Sequence, residues 1–344
     1  MRRRDAGLHP GRRPRAPVPL PAPHHRPVRP RPVHRLPGDS VTPAPSGPLT
    51  GVVPPVCTPL TPDLEVDVPS LERLVDHLVG AGVDGLFVLG STSEVAFLPD
   101  AQRRTVLETV VKHVAGQVPV LGGVIDMTTL RVIEHARVAA DVGCDGVVAT
   151  APFYTRTHPV EVEAHLRDVA AAVPVPVYAY DLPVSVHSKL DGGMLLRLAS
   201  EGVLAGVKDS SGDDGAMRTL MLALRDAGAS GFSVLTGSEL TVDAAFAMGV
   251  HGVVPGLGNV DPAGYVRLHR HCRAGRWDEA RTEQERLLRL FDIVNAGAPA
   301  RMGRGSSALG SFKAALHLLG VIDHPLTAPP QVPLDAAETA RVQT

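Results

Sequence analysis

"VLAGVKDSSGDDGAMRTLMLALRDAG", residues 203–228, carries two patterns in one unit. An apolar, valine-containing run ends on Lys208 and breaks at Asp209-Ser210-Ser211-Gly212. Apolar residues then return at helical spacing, at Met217, Leu220, Met221 and Leu224, and the pattern stops at Gly228. The run reads as a strand and the remainder as an amphipathic helix. The strand does not alternate apolar with polar, which is the signature of a strand buried on both faces. A lysine at the end of such a strand is either a solvated cap or an amine held at the mouth of a fold.

The same unit repeats on both sides. Working outward, "VPVYAYDL" (175–182) precedes the helical "DGGMLLRLASEG" (191–202), and "FSVLTGSEL" (232–240) precedes "TVDAAFAMG" (241–249). The series begins at "GVVPPVCTPL" (51–60) and closes with "HGVVPGLGN" (251–259) and "DPAGYVRLHRHCRAG" (261–275). Eight strand–helix units in strict alternation predict an α/β fold, the (β/α)8 TIM barrel. A doubly wound sheet fits less well, since no GxGxxG follows the first strand. Two further amphipathic segments, "WDEARTEQERLLRLFDIV" (277–294) and "SSALGSFKAALHLLG" (306–320), predict a C-terminal helical extension, with a Pro-rich tail from Asp323.

The expected organisation is therefore an arm over 1–48, a barrel over 49–275 and an extension with its tail over 276–344. The arm holds ten arginines against two aspartates and 13 of the 32 prolines. So much proline blocks helix and sheet alike, and the arm is expected to be disordered. The net charge of −2 thus hides an acidic body, which carries no basic footprint for nucleic acid. No apolar run approaches the length of a membrane helix, and no signal-peptide core is visible. Three widely spaced cysteines, Cys57, Cys144 and Cys272, form no CxxC pair and suit a reducing, cytoplasmic setting.

In a barrel of this kind chemistry sits at the C-terminal strand ends. Those ends carry Cys57-Thr58, the turn Gly90-Ser91-Thr92-Ser93-Glu94, Gly122-Gly123 with Asp126, Phe153-Tyr154, Tyr180-Asp181, Lys208-Asp209, Ser238-Glu239 and Pro255-Asn259. An amine at a strand end condenses with a ketone to an imine once its charge is desolvated. A phenol can move the proton, and a hydroxyl-bearing turn with free N–H groups can hold a carboxylate. Each signal is weak alone: Ser91-Thr92 also reads as an ordinary turn or cap, and Tyr154 as a rim aromatic. The histidines, such as His77, His113, His135 and His165, fall on predicted helices away from that mouth. No metal and no cofactor is expected.

Together these residues resemble the dihydrodipicolinate synthase / N-acetylneuraminate lyase family. "GSTSE" (90–94) is similar to its G-[ST]-T-G-E turn, and "APFYTR" (151–156) to its P-[YF]-Y segment. "YDLP" (180–183) is similar to its Y-N-x-P, "GVKDSSGD" (206–213) to its lysine motif, and "FKAALHLLG" (312–320) to its C-terminal helix. The resemblance covers residues 51 to about 330 and implies a Schiff-base lyase, an aldolase or dehydratase, acting on pyruvate or another small 2-oxo acid. It implies Lys208 as the imine-forming nucleophile, Tyr154 as the proton relay, Ser91 and Thr92 as the carboxylate holders, and the Val254 carbonyl as pocket lining. It implies an aldehyde as second substrate and a homo-tetramer or homo-dimer. Departures bear on that second substrate: Ser185 stands where the synthase branch carries a carboxylate-binding arginine, His187 replaces a glycine, Asp181 an asparagine and Ser93 a glycine. A hydroxyl cannot replace a bidentate guanidinium, so lysine-biosynthesis synthase activity is the weaker expectation. A non-catalytic barrel that binds a 2-oxo acid, and a metal-dependent lyase, are the competing expectations.

Overall fold

A computed structural model of the chain describes residues 48–343. The arm over 1–48 lies outside the described residues, apart from its last position. Eight parallel strands are present: β1 (Gly51–Val52), β2 (Leu86–Val88), β3 (Val120–Gly123), β4 (Gly146–Thr150), β5 (Val177–Asp181), β6 (Gly206–Asp209), β7 (Ser233–Thr236) and β8 (Gly252–Val253). They pair in the order β1-β8-β7-β6-β5-β4-β3-β2. The ring closes between β1 and β2 through Pro55 and Phe87. There the Val56 N–H donates to the Phe87 carbonyl at 2.9 Å, and the Phe87 N–H to the Pro54 carbonyl at 3.0 Å. Pro54 and Pro55 have no N–H to give, so β1 is short and the seam rests on single bonds rather than a ladder. The (β/α)8 barrel expected from the eight repeats is the observed fold.

Aspartates and a threonine start many of the helices that follow the strands. Asp67, Thr128, Asp191, Asp213 and Asp261 each accept a backbone N–H from the first turn of their helix. Each such cap is worth about 1 kcal/mol and stops the strand-to-helix turn at a fixed residue. Residues in register on adjacent strands share a face. Thr150, Tyr180, Lys208 and Leu235 are in register across β4–β7. Their chain neighbours Ala149, Ala179, Val207 and Val234 are buried on the opposite face.

Glycines make room for the aromatic filling of the barrel. A Cβ on Gly206 would sit 2.6 Å from the Ser233 carbonyl oxygen and 2.7 Å from the Tyr178 ring. A Cβ on Gly146 would sit 3.2 Å from the same ring. Tyr178 thus occupies the volume that two strands leave empty.

The C-terminal extension holds helices at Trp277–Phe291 and Arg304–Leu318. A last helix at Ala336–Gln343 stands in the tail, where the sequence suggested only Pro-rich coil. Its start is a reciprocal cap: the Glu338 N–H donates to Asp335 and the Asp335 N–H to Glu338. Among the described residues no helix is long and apolar enough to cross a membrane.

Candidate active site

Lys208 is the penultimate residue of β6 and is 6% exposed. Its Nζ lies 4.1 Å from the centroid of the Tyr180 ring and 5.0 Å from that of Phe87. Phe87 and Tyr180 meet edge to face, with centroids 6.2 Å apart. The amine thus sits inside the barrel between two aromatic walls, at the strand end from which it can reach a carbonyl carbon in the mouth.

The Tyr180 phenol is hydrogen-bonded to Lys208, Ser91 and Ser210. Burial alone would raise it; the Lys208 charge and these three bonds outweigh burial and hold it below the usual phenol value. A phenol held that way gives up and recovers a proton more readily than one in water.

Tyr154 stands elsewhere. It follows β4 on the rim, is 89% exposed and carries a left-handed φ of 76°. The phenol against Lys208 in this chain is Tyr180, its in-register neighbour on β5. The sequence offered the signal, since Tyr180 opens the "YDLP" motif and β5 precedes β6. Choosing between two strand-end tyrosines needed the register.

Of the other expected residues, Ser91 reaches this pair through the Tyr180 phenol. Ser91 and Thr92 form a 3-10 turn directly after β2, Ser91–Ser93, with Glu94 closing it at φ 61°. Ser93 fills the place of the family glycine: its hydroxyl donates to the Val56 carbonyl and accepts from the Gly90 N–H. The extra hydroxyl thus ties the turn to the segment that follows β1. Val254 is buried just past β8, its N–H donating to the Thr236 carbonyl at 2.8 Å. Ser185 lies on a one-turn helix, Pro183–Val186, that follows β5, and His187 caps the end of that helix; both are exposed.

Three further groups shape the mouth. Ser210 packs over Gly237, where a Cβ would sit 2.0 Å from the Ser210 Oγ. Asp209 accepts the Ser211 N–H at 2.8 Å and its hydroxyl at 2.7 Å, which fixes the turn after Lys208. Glu239, after β7, lines a cleft of about 230 Å3 with Asp209, Ser210, Thr236 and Ser238. Burial pushes the Glu239 carboxyl up to about 7, against the opposing pull of the Leu257 N–H and the Lys208 charge.

Asp181 departs from the family asparagine and is buried. It pairs with Lys189 and accepts the Leu190 N–H at 3.2 Å, closing the loop that carries Ser185 and His187. Burial still raises its carboxyl, with Lys189 pulling the other way.

A lysine amine beside a phenol and a hydroxyl turn, at the C-terminal mouth of a (β/α)8 barrel, defines a lyase of the Schiff-base-forming class. Residues 48–344 match the model of the dihydrodipicolinate synthetase family, and the chain belongs to that family. An uncharacterised DapA-like lyase of Halobacterium salinarum is 35% identical over 82% of this chain and 88% of its own length. YagE of Escherichia coli, provisionally named a 2-dehydro-3-deoxy-D-gluconate aldolase, is 30% identical over 86% of this chain and 95% of its own. The crystal structure of YagE in complex with pyruvate superposes with a TM-score of 0.79 over 86% of this chain and 96% of that one, at 28% identity. Dihydrodipicolinate synthase of Bacteroides thetaiotaomicron superposes with a TM-score of 0.80 over 86% and 97%, at 31% identity.

Proposed function

We propose that this lyase is an aldolase or dehydratase that binds pyruvate or another small 2-oxo acid as an imine on Lys208. The observation that carries the reading is the Lys208 amine buried against the Tyr180 phenol, which is in turn bonded to Ser91 and Ser210. The acid's carboxylate sits on the Ser91–Thr92 turn, which brings its C2 carbonyl to Nζ. Attack forms the C–N bond and passes a proton to the carbonyl oxygen; loss of water then leaves the imine. Tyr180, not Tyr154, is the relay, with Ser91 and Ser210 as its path to the rim. A proton lost from C3 gives an enamine. The enamine adds to an aldehyde. In the opposite direction the imine of an aldol product gives up its C4 hydroxyl proton, and C3–C4 cleavage releases the aldehyde and leaves the enamine. Where C4 carries a hydroxyl, the enamine expels it with a proton as water.

Ser185 supplies no positive charge for a second carboxylate, so an aldehyde without one is the favoured partner. The pyruvate complex of YagE supports the 2-oxo acid, and the barrel neighbours support the geometry. A cytoplasmic setting is supported by Cys57, Cys144 and Cys272, which are all unpaired and buried. Exposed apolar residues on the loops and helix starts after β2, β3 and β4, among them Phe97, Met127, Leu130 and Tyr154, support a homo-dimer or homo-tetramer.

Borohydride reduction with pyruvate, followed by intact mass, tests the imine. One reduced pyruvyl adduct per chain is expected in the wild type and none in Lys208→Ala. A wild type without adduct, or an adduct that persists in Lys208→Ala, ends the proposal.

A further inference from the structure

Every residue of the C-terminal helix from Leu309 to Leu316 is buried. One of them is Lys313, a residue type that is almost never fully buried unless paired. Its ammonium donates to Glu94 Oε2 and to the Leu326 carbonyl, the latter at 2.6 Å. The second oxygen of Glu94 accepts the Ala328 N–H at 2.9 Å. Both side chains of the ion pair are 0% exposed. The carboxylate that closes the Ser91–Ser93 turn is thus held wholly by the C-terminal extension, 219 residues away along the chain.

The turn depends on that hold. Glu94 adopts a left-handed φ of 61°, which costs a non-glycine residue about 1 kcal/mol or more and persists only where its surroundings enforce it. Its N–H donates to the Ser91 carbonyl at 3.0 Å, so the position of Glu94 sets that of Ser91. On the opposite side the turn is tied to the segment that follows β1, through Ser93 to Val56 and Thr58 to Ser93. Ser91 and Thr92 therefore sit on a bracket with one foot in the barrel and one in the extension.

We propose that Lys313 is a positioning residue: through Glu94 it fixes the Ser91–Thr92 turn in the geometry that receives the 2-oxo acid carboxylate. The inference rests on the reading of Lys208 and that turn given above. Removal of one charge alone leaves the other buried and unpaired, which destabilises a fold for reasons unrelated to the turn. The Lys313→Met/Glu94→Gln double variant removes both charges together. Glu94→Asp keeps the charge and shortens the arm by one methylene, so that it cannot reach Lys313 and Ala328 without dragging the turn.

Each variant is reduced with borohydride over a range of pyruvate concentrations. The labelled fraction at saturation and the half-saturating concentration are read separately. In both variants the half-saturating concentration is expected to rise about tenfold or more, while saturation still approaches one label per chain. Simple loss of folded protein lowers the labelled fraction and leaves half-saturation unmoved. An unmoved half-saturation in the folded variants overturns the inference; if the double variant does not fold, Glu94→Asp alone decides. A wild type that takes no label at any concentration overturns the lysine reading instead.

Discussion

At the scale of single residues, the chemistry turns on which phenol faces Lys208. Tyr180 is enclosed with the amine, and Tyr154 is open to solvent. A relay that acts by proton transfer contributes about 10^2- to 10^4-fold. Tyr180→Phe is therefore expected to lower kcat by about that factor with its fold intact, and Tyr154→Phe on a single chain's own site by far less. Equal losses would contradict the assignment. An ultraviolet titration reads the same pair independently. Tyr180 should ionise below the ordinary phenol value, well before Tyr178, which burial pushes up to about 12. Lys208→Met should move the Tyr180 step upward, because the ammonium and its hydrogen bond are lost.

Glu239 gives a second residue-scale prediction, with its own sign. Its carboxyl is raised from 4.5 to about 7 in the fold, so the protonated form is the one the fold favours. Its stabilising share is complete below pH 4.5 and is lost as pH rises through about 7. Glu239→Gln should therefore change thermal stability little at pH 5. At pH 8 it should raise stability by on the order of 2 kcal/mol. An equal change at both pH values would mean that the Glu239 ionisation is not what the substitution removed.

At the scale of elements, the strand–helix alternation was legible because strands buried on both faces leave uninterrupted valine-rich runs. Lys208 stood out because such a run has no other use for a charge. The Tyr180 role was not legible, because register belongs to two strands at once. Nor was the helix at Ala336–Gln343: prolines before it dominated the composition, while the Asp335-to-Glu338 cap that starts it is a four-residue signal. Glycine on β6 is the element-level feature that links fold to site. Gly206 shares its strand and face with Lys208, and any Cβ there would strike the Ser233 backbone oxygen at 2.6 Å and Tyr178 at 2.7 Å. Backbone cannot yield as a side-chain tip can. Gly206→Ala is expected to cost about 1–3 kcal/mol in chemical denaturation through overpacking. It should also slow imine trapping by shifting β6 against β5. A variant as stable as the wild type would show that the barrel interior is looser than this packing implies.

At the scale of the whole molecule, long-range pairings escape a linear reading. The Pro54–Pro55 seam and the Lys313–Glu94 pair join segments that no local pattern connects. The rim poses the same kind of question between chains. Phe97, Met127, Leu130, Tyr154 and Val160 are all exposed on loops and helix starts that follow the adjacent strands β2, β3 and β4. Large apolar side chains gathered on one edge usually mark a contact surface. A stable contact needs about 800 Å2 on each partner, centred on apolar anchors. Covering this edge with a second copy would also bury Tyr154, which is exposed and holds a left-handed backbone. Light scattering on the wild type at micromolar concentration is expected to give a dimer or tetramer. Leu130→Asp, which places a charge in the middle of that edge, should shift the mass toward the monomer without lowering the melting temperature of the barrel by more than a few degrees. A monomeric wild type, or an assembly indifferent to Leu130→Asp, would place the contact elsewhere or remove it.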